Sequence, residues 1–122
     1  MELLIIGVGG IGGALSRYAI GKYLAQKSSL SFPLATFLIN VTGAFFLGLL
    51  ATNMVADPAG SLIEKYGFQV GFLGAYTTFS TFTYESIRLM EDGEWLHFFL
   101  YTGGSTIAGL LACALGISIT LW

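Results

Sequence analysis

Between Gly74 and Thr83 the chain combines hydroxyl side chains and two phenylalanines in a stretch otherwise apolar enough to cross a lipid bilayer. The hydroxyls belong to Tyr76, Thr77, Thr78, Ser80, Thr81 and Thr83. A bilayer supplies no water to these groups, so they must bond to backbone, to another helix or to a passing solute. Hydroxyl donors beside aromatic ring edges could replace the water around a small anion, which makes this run the candidate functional segment.

The composition indicates an integral membrane protein. Hydrophobic residues make up 55% of the chain, charged residues only 10%, and the mean hydropathy is +0.78. The 122 residues leave room for about four spans of roughly 20 residues each. We therefore expect one membrane domain over residues 1–122, with the lipid bilayer as surroundings. The net charge of −2 comes from scattered residues, which argues against a nucleic-acid partner.

Four apolar segments, expected to be helices, define an all-α fold: about 3–24, 32–55, 62–90 and 95–122. Four crossings would put both termini on one side. Lys22, Lys27 and Arg88 then fall on one side and Lys65 on the other, so the charge bias that sets orientation is slight. This is compatible with insertion in both orientations. The alternative is one fixed orientation with the lysine-bearing loop inside.

The third segment is expected to be broken in its middle. Thr77 and Thr78 can bond carbonyls one turn back, and Gly74 adds backbone freedom, so an interruption costs little there. At membrane depth, such a break is tolerated only where protein or a water-filled path covers the exposed backbone. It is a common construction for an ion site.

Two aromatic residues and two hydroxyls follow the expected break. Phe79 and Phe82 lie three residues apart, so on a helix they occupy one face. The pair could simply pack in the core, or its positive ring edges could face a desolvated anion. In the second case Ser80 and Thr81 supply hydroxyl donors around the same turn.

Three further polar residues have two interpretations each. Arg17 could extend to the aqueous end of the first helix or line a water-filled vestibule. Asn40, near the middle of the second segment, could hold helices together or donate its amide to an anion. Glu85 could be an interfacial carboxylate paired with Arg88, or lie near the mouth of an anion path.

Glycines crowd the first segment, and Gly7, Gly9 and Gly12 match the spacing of a dinucleotide-binding turn. That fingerprint needs an acidic residue about 20 positions further on, and none lies between Glu2 and Asp57. We therefore expect close helix packing instead, with Gly9 and Gly13 and the later pair Gly67 and Gly71 letting backbones approach.

Together these motifs resemble the Fluc family of fluoride channels, also called CrcB proteins. The resemblance covers essentially the whole chain and rests on three stretches, which are residues 12–18 (GGALSRY), 36–43 (TFLINVTG) and 71–85 (GFLGAYTTFSTFTYE). The last of these is highly specific.

The resemblance implies an antiparallel homodimer of four-helix subunits, inserted in both orientations, with two fluoride paths and a central sodium ion. By position, the backbone carbonyls of Gly74 and Thr77 would bind sodium, and Phe79 and Phe82 would flank fluoride. The remaining positions that match the family's path are Asn40, Ser80, Thr81 and Ser105, and those near the aqueous mouths are Arg17 and Glu85. The fourth helix departs from the pattern, because Gly109 and Cys113 stand where the family's track often carries hydroxyls.

The resemblance predicts a passive channel, not an enzyme, that lets cytoplasmic fluoride leave a bacterial cell through its plasma or inner membrane. One alternative is a small multidrug-type exporter that couples cations to protons, although such a transporter needs an acid inside a helix and Glu85 lies near a helix end. A second alternative is a membrane scaffold whose glycines serve assembly only.

Overall fold

The computed structural model describes residues 1–29 and 31–122 and is helical, with no strand within those two ranges. Its long helices are α1 (Glu2–Lys27), α2 (Leu34–Ala56) and α5 (Trp95–Leu121). A π-helix (Ile63–Leu73), a short helix α3 (Gly74–Tyr76) and the helix α4 (Ser80–Glu91) lie between α2 and α5.

Three of these helices are long and apolar enough to cross a membrane: α1, the Leu34–Asn53 part of α2, and α5. Their bounds lie within three residues of the segments expected from hydropathy. α1 continues to Lys27, and α2 begins after Pro33, which caps the helix and does not form part of its first turn. The all-helical membrane fold expected from composition is confirmed at this level.

The third apolar segment consists of the π-helix, α3 and α4, and Thr77 to Phe79 lie between α3 and α4. Thr77 has an extended backbone, with φ −77° and ψ 157°, so the helical path ends there. Helical geometry resumes at Phe79, with φ −93° and ψ −35°. The hydroxyl-rich run therefore includes non-helical backbone.

Glycines bring the helices together in two close pairs. α1 packs against the π-helix, where a Cβ on Gly9 would collide with the Gly67 carbonyl and one on Gly13 with the Phe72 carbonyl. α2 packs against α5, where a Cβ on Gly48 would collide with the Cys113 carbonyl. The expectation that Gly9 and Gly13 serve helix packing is confirmed.

Large apolar side chains cover the outside of the subunit. Leu3, Val8, Ile107 and Leu110 are each more than half exposed. Only four hydrophobic side chains among the described residues are buried: Ile39, Leu73, Leu89 and Tyr101. A surface of this kind is stable in lipid, where apolar side chains need no burial against protein.

Candidate functional site

The site is built around the interruption between α3 and α4. In a continuous α-helix the Thr78 N–H would bond to the Gly74 carbonyl, and the Thr81 N–H to the Thr77 carbonyl. Instead the Thr78 N–H donates to Asn40 Oδ1, at 2.9 Å, and the Thr81 N–H donates to Thr78 Oγ1, at 3.2 Å. Side chains therefore replace the backbone acceptors at this point, which releases two carbonyls from their helical partners.

Asn40 holds the interruption from the neighbouring helix α2. Its Nδ2 donates to the Thr78 carbonyl at 2.9 Å, and its Oδ1 accepts from the Thr78 N–H at the same distance. The amide thus satisfies both backbone polar groups of Thr78, a residue that has left the helix. Gly43, one turn along α2, gives the chain room to approach, because a Cβ there would collide with Thr77 Cγ2. Through these hydrogen bonds Asn40 holds α2 to the interruption, which is one of the two roles considered for it.

Three hydroxyls cluster at the start of α4. Thr78 Oγ1 donates to Thr81 Oγ1 at 3.1 Å and lies 3.3 Å from Ser80 Oγ. Thr78 is buried, whereas Ser80 is exposed and Thr81 is half-buried. The first amide groups of a helix carry the positive end of its dipole, so this cluster lies where a negative charge is favoured.

The two phenylalanines of the run lie side by side next to this cluster. The ring centroids of Phe79 and Phe82 are 5.9 Å apart, as expected from their spacing. Phe82 also packs against Tyr101 of α5, at 5.2 Å between centroids. Phe79 is 78% exposed in the single subunit, so its ring is not a core residue of that subunit.

Glu85 accepts two hydrogen bonds one turn beyond Phe82. Thr36 Oγ1 donates to Glu85 Oε1 at 3.0 Å, and the Tyr101 hydroxyl donates to Glu85 Oε2 at 2.7 Å. The possible pairing of Glu85 with Arg88 is wrong, because the Arg88 guanidinium donates to the Tyr84 hydroxyl at 3.1 Å. Charged hydrogen bonds of this kind are stronger than neutral ones, so the carboxylate fixes α2 and α5 around α4.

Sequence reasoning missed Tyr101 and Thr36 as parts of this site. Tyr101 is completely buried. The interval of four residues between Tyr101 and Ser105 places both on one face of α5. This spacing was the one feature of the sequence that could have indicated that Tyr101 belongs to the site. The carboxylate partner lies 16 residues away and could not be identified from spacing.

The Arg17 guanidinium lies beside the interruption. Its Nη1 donates to the Thr77 carbonyl at 3.5 Å, at the long limit for a hydrogen bond, and the residue is half-buried. Thr77 itself bonds back to the Leu73 carbonyl through both its N–H and its hydroxyl, at 3.0 Å each. Its own carbonyl is thus held weakly, by the guanidinium alone among the described residues.

The fourth helix contributes one unpaired hydroxyl. Ser105 Oγ is buried and has no hydrogen-bond partner within the described ranges. The neighbouring Thr106 hydroxyl donates to the Thr102 carbonyl of its own helix at 2.8 Å. Cys113 is a half-buried thiol that lies on the helix side packed against Gly48.

A groove of about 370 Å³ runs beside the interruption, and we call it the central groove. Asn40, Gly74, Thr77, Thr78 and Phe79 line it. Most of its lining is apolar carbon, but the polar groups present are those of the non-helical backbone and its Asn40 support. An ion in this groove would meet carbonyls on the α3 side and amide and hydroxyl groups on the α4 side.

These features define the class: a small helical membrane protein with a polar interruption at the end of a short helix. A family model described as "CrcB-like protein, Camphor Resistance (CrcB)" matches residues 4–117. The chain belongs to this family, and it is a multi-pass bacterial membrane protein.

Relatives of similar length support this assignment. A protein of Acidobacterium capsulatum named "Fluoride-specific ion channel FluC" is 41% identical over 119 residues, which cover 98% of this chain and 95% of the relative. "Fluoride-specific ion channel FluC 2" of Bacillus cereus is 42% identical, with 98% and 97% covered. The protein of that name from Moorella thermoacetica is also 42% identical, with 95% and 93% covered.

Proposed function

We propose that the chain forms a passive, fluoride-selective channel that carries cytoplasmic fluoride out of the cell and catalyses no reaction. Its family and the printed names of its relatives support this proposal. The observation that carries it is the start of α4, where hydroxyls, helix amides and the rings of Phe79 and Phe82 lie together at the interruption. A small, strongly hydrated anion can give up its water only to a dense set of such donors.

The fluoride path follows the polar groups of α2, α4 and α5 in this proposal. Arg17, whose guanidinium lies beside the interruption, attracts the anion into a water-filled vestibule there, and the cluster at Ser80 and Thr81 replaces the water of the anion. The second amide hydrogen of Asn40 and the edges of Phe79 and Phe82 flank the ion where the path narrows. Ser105 Oγ, buried and unpaired among the described residues, is the donor on α5, and Glu85 lies toward an aqueous mouth.

A sodium ion is proposed on the carbonyls of Gly74 and Thr77. The residues fit this ion because both carbonyls have lost their helical N–H partners to Asn40 and to Thr78 Oγ1. Carbonyl oxygens at the end of a half-helix carry partial negative charge, which favours a cation. Arg17 is a competing cation at Thr77, since its guanidinium lies 3.5 Å from the same oxygen.

The functional unit is proposed to be an antiparallel homodimer inserted in both orientations, with the broken third helices at its centre. The central groove supports this, because Gly74 and Phe79 at its edge are exposed in one subunit. A second copy would cover these residues and exclude lipid from the non-helical backbone, as the bilayer requires.

Fluoride efflux from reconstituted vesicles tests the proposed function. Purified protein is placed in liposomes loaded with potassium fluoride, and valinomycin is added so that charge can balance. A fluoride electrode should then record rapid release that protein-free liposomes do not show, and a chloride electrode should record no such release from liposomes loaded with potassium chloride. A proton-coupled cation exporter would instead move an organic cation in exchange for protons. A scaffold would move neither fluoride nor the organic cation.

A further inference from the structure

The π-helix aligns two residues that an α-helix would separate. Because its hydrogen bonds join residues five apart, residues at that interval lie near one another along one side of the helix. Glu64 and Gln69 are five apart, so their carboxylate and amide lie on one face of the π-helix. Gly74, a proposed sodium ligand, is the first residue after the π-helix and lines the central groove together with Gln69.

Gln69 is the unusual member of this face. It is only 6% exposed, and its Nε2 donates to the Leu50 carbonyl at 3.2 Å. A carbonyl only accepts, so this bond fixes the orientation of the amide. Gln69 Oε1, the other polar atom of the same amide, is buried and has no hydrogen-bond partner in the described part of the chain. A buried acceptor of this kind requires a donor or a cation.

Gln69 also separates two cavities. On one side is the central groove, with Gly74 and Thr77. On the other is an outer pocket of about 230 Å³, which opens where α2 ends and the π-helix begins. Asn53, Asp57, Glu64 and Lys65 line it, and Asn53 Nδ2 donates to Glu64 Oε1 at 3.3 Å. Two carboxylates against one ammonium group favour a monovalent cation over an anion.

We propose that this face is the entry path of a monovalent cation from the outer pocket to the carbonyls of Gly74 and Thr77. The inference rests on the sodium site proposed above. Glu64 raises the local concentration of the cation at the mouth, and Gln69 Oε1 replaces one of its waters halfway along. The ion then reaches the freed carbonyls, while fluoride is repelled by the carboxylates and uses the other side of the interruption.

The test measures binding of radioactive sodium to the purified, detergent-solubilised protein after removal of the bound ion. Glu64→Gln and Gln69→Met should each slow both association and dissociation by about tenfold, because they change the path and leave the carbonyl ligands in place. The dissociation constant should therefore stay unchanged. The matched control is Glu91→Gln, which removes an exposed carboxylate at the far end of α4.

Each result decides between clear alternatives. Wild-type rates in both variants would overturn the path while leaving the sodium site intact. A larger dissociation constant with an unchanged association rate would also overturn the entry path, because these residues would then be sodium ligands. If the wild-type protein binds no sodium, both the site and its path are refuted, and fluoride efflux still tests the channel separately. Glu64 lies at the open pocket, so its variant gives an answer even if Gln69→Met does not fold.

Discussion

At the scale of single residues, Phe79 and Phe82 are the pair whose removal should separate conduction from folding. The double substitution Phe79→Ile and Phe82→Ile removes both ring edges but keeps apolar bulk beside the start of α4. We expect fluoride efflux from vesicles to stop, while gel filtration shows a folded protein of unchanged size. Phe99→Ile, at an exposed ring of α5, is the control and should leave efflux intact. Normal efflux in the double variant would exclude the rings from the path.

Tyr101 and Tyr84 form a matched pair of hydroxyls for testing the Glu85 cluster. Tyr101→Phe leaves Glu85 Oε2 without its buried donor, and losing a hydrogen bond to a charged group costs about 1.5–3 kcal/mol. We expect a lower unfolding temperature in detergent and slower efflux. Tyr84 is 60% exposed, and its hydroxyl accepts a hydrogen bond from Arg88. Tyr84→Phe removes this hydroxyl and leaves Glu85 with both of its donors, so both quantities should stay near wild type. Equal effects of the two substitutions would contradict this role of Glu85.

Residue-scale predictions from sequence succeeded where spacing along one helix carried the information. The separation of three residues between Phe79 and Phe82 was enough to place their rings together. The bond between Thr77 Oγ1 and the carbonyl one turn back was equally local. The possible pairing of Glu85 with Arg88 was wrong, because the hydrogen-bond donors to Glu85 come from α2 and α5. Arg88, its nearest basic neighbour in sequence, donates to Tyr84 instead.

At the scale of helices, Gly7 and Gly9 test whether packing between α1 and the π-helix holds the subunit together. A methyl group at Gly9 would collide with the Gly67 carbonyl, whereas nothing lies within 4 Å of one at Gly7. Gly9→Ala should therefore destabilise the protein by about 1–3 kcal/mol. Gly7→Ala should be neutral or stabilising by up to about 1 kcal/mol, because alanine favours the helix. Thermal unfolding in detergent measures both, and a loss of stability in Gly7→Ala alone would contradict this packing.

The sequence predicted where helices lie but not which kind of helix each one is. Hydropathy located the apolar segments, because a bilayer demands a minimum apolar length. Gly74 and the threonines indicated an interruption, since they weaken local helical bonding. The π-helix over Ile63–Leu73 left no such mark, because its register depends on close contact with α1 through Gly67 and Gly71. Tertiary packing, which one sequence does not display, decides between the two registers.

At the scale of the whole molecule, composition alone defined the class, because a chain with 10% charged residues cannot cover itself with polar side chains. The structure shows the consequence in the exposed apolar faces of α1 and α5. One subunit leaves the central groove open next to non-helical backbone, a combination that a bilayer does not tolerate. In the proposed antiparallel homodimer, a second copy inserted in the opposite orientation would cover this groove.

Orientation in the membrane gives the last prediction. Lys22, Lys27 and Arg88 oppose Lys65 with so small a difference that the orientation rule sets no firm preference. In a variant with Cys113→Ala and Asp92→Cys, a thiol reagent that cannot cross membranes should label about half of the copies from outside intact cells, because the two orientations would be equally populated. Permeabilised cells give the full label. Labelling of nearly all copies, or of almost none, would mean one fixed orientation, and an antiparallel dimer could not then form.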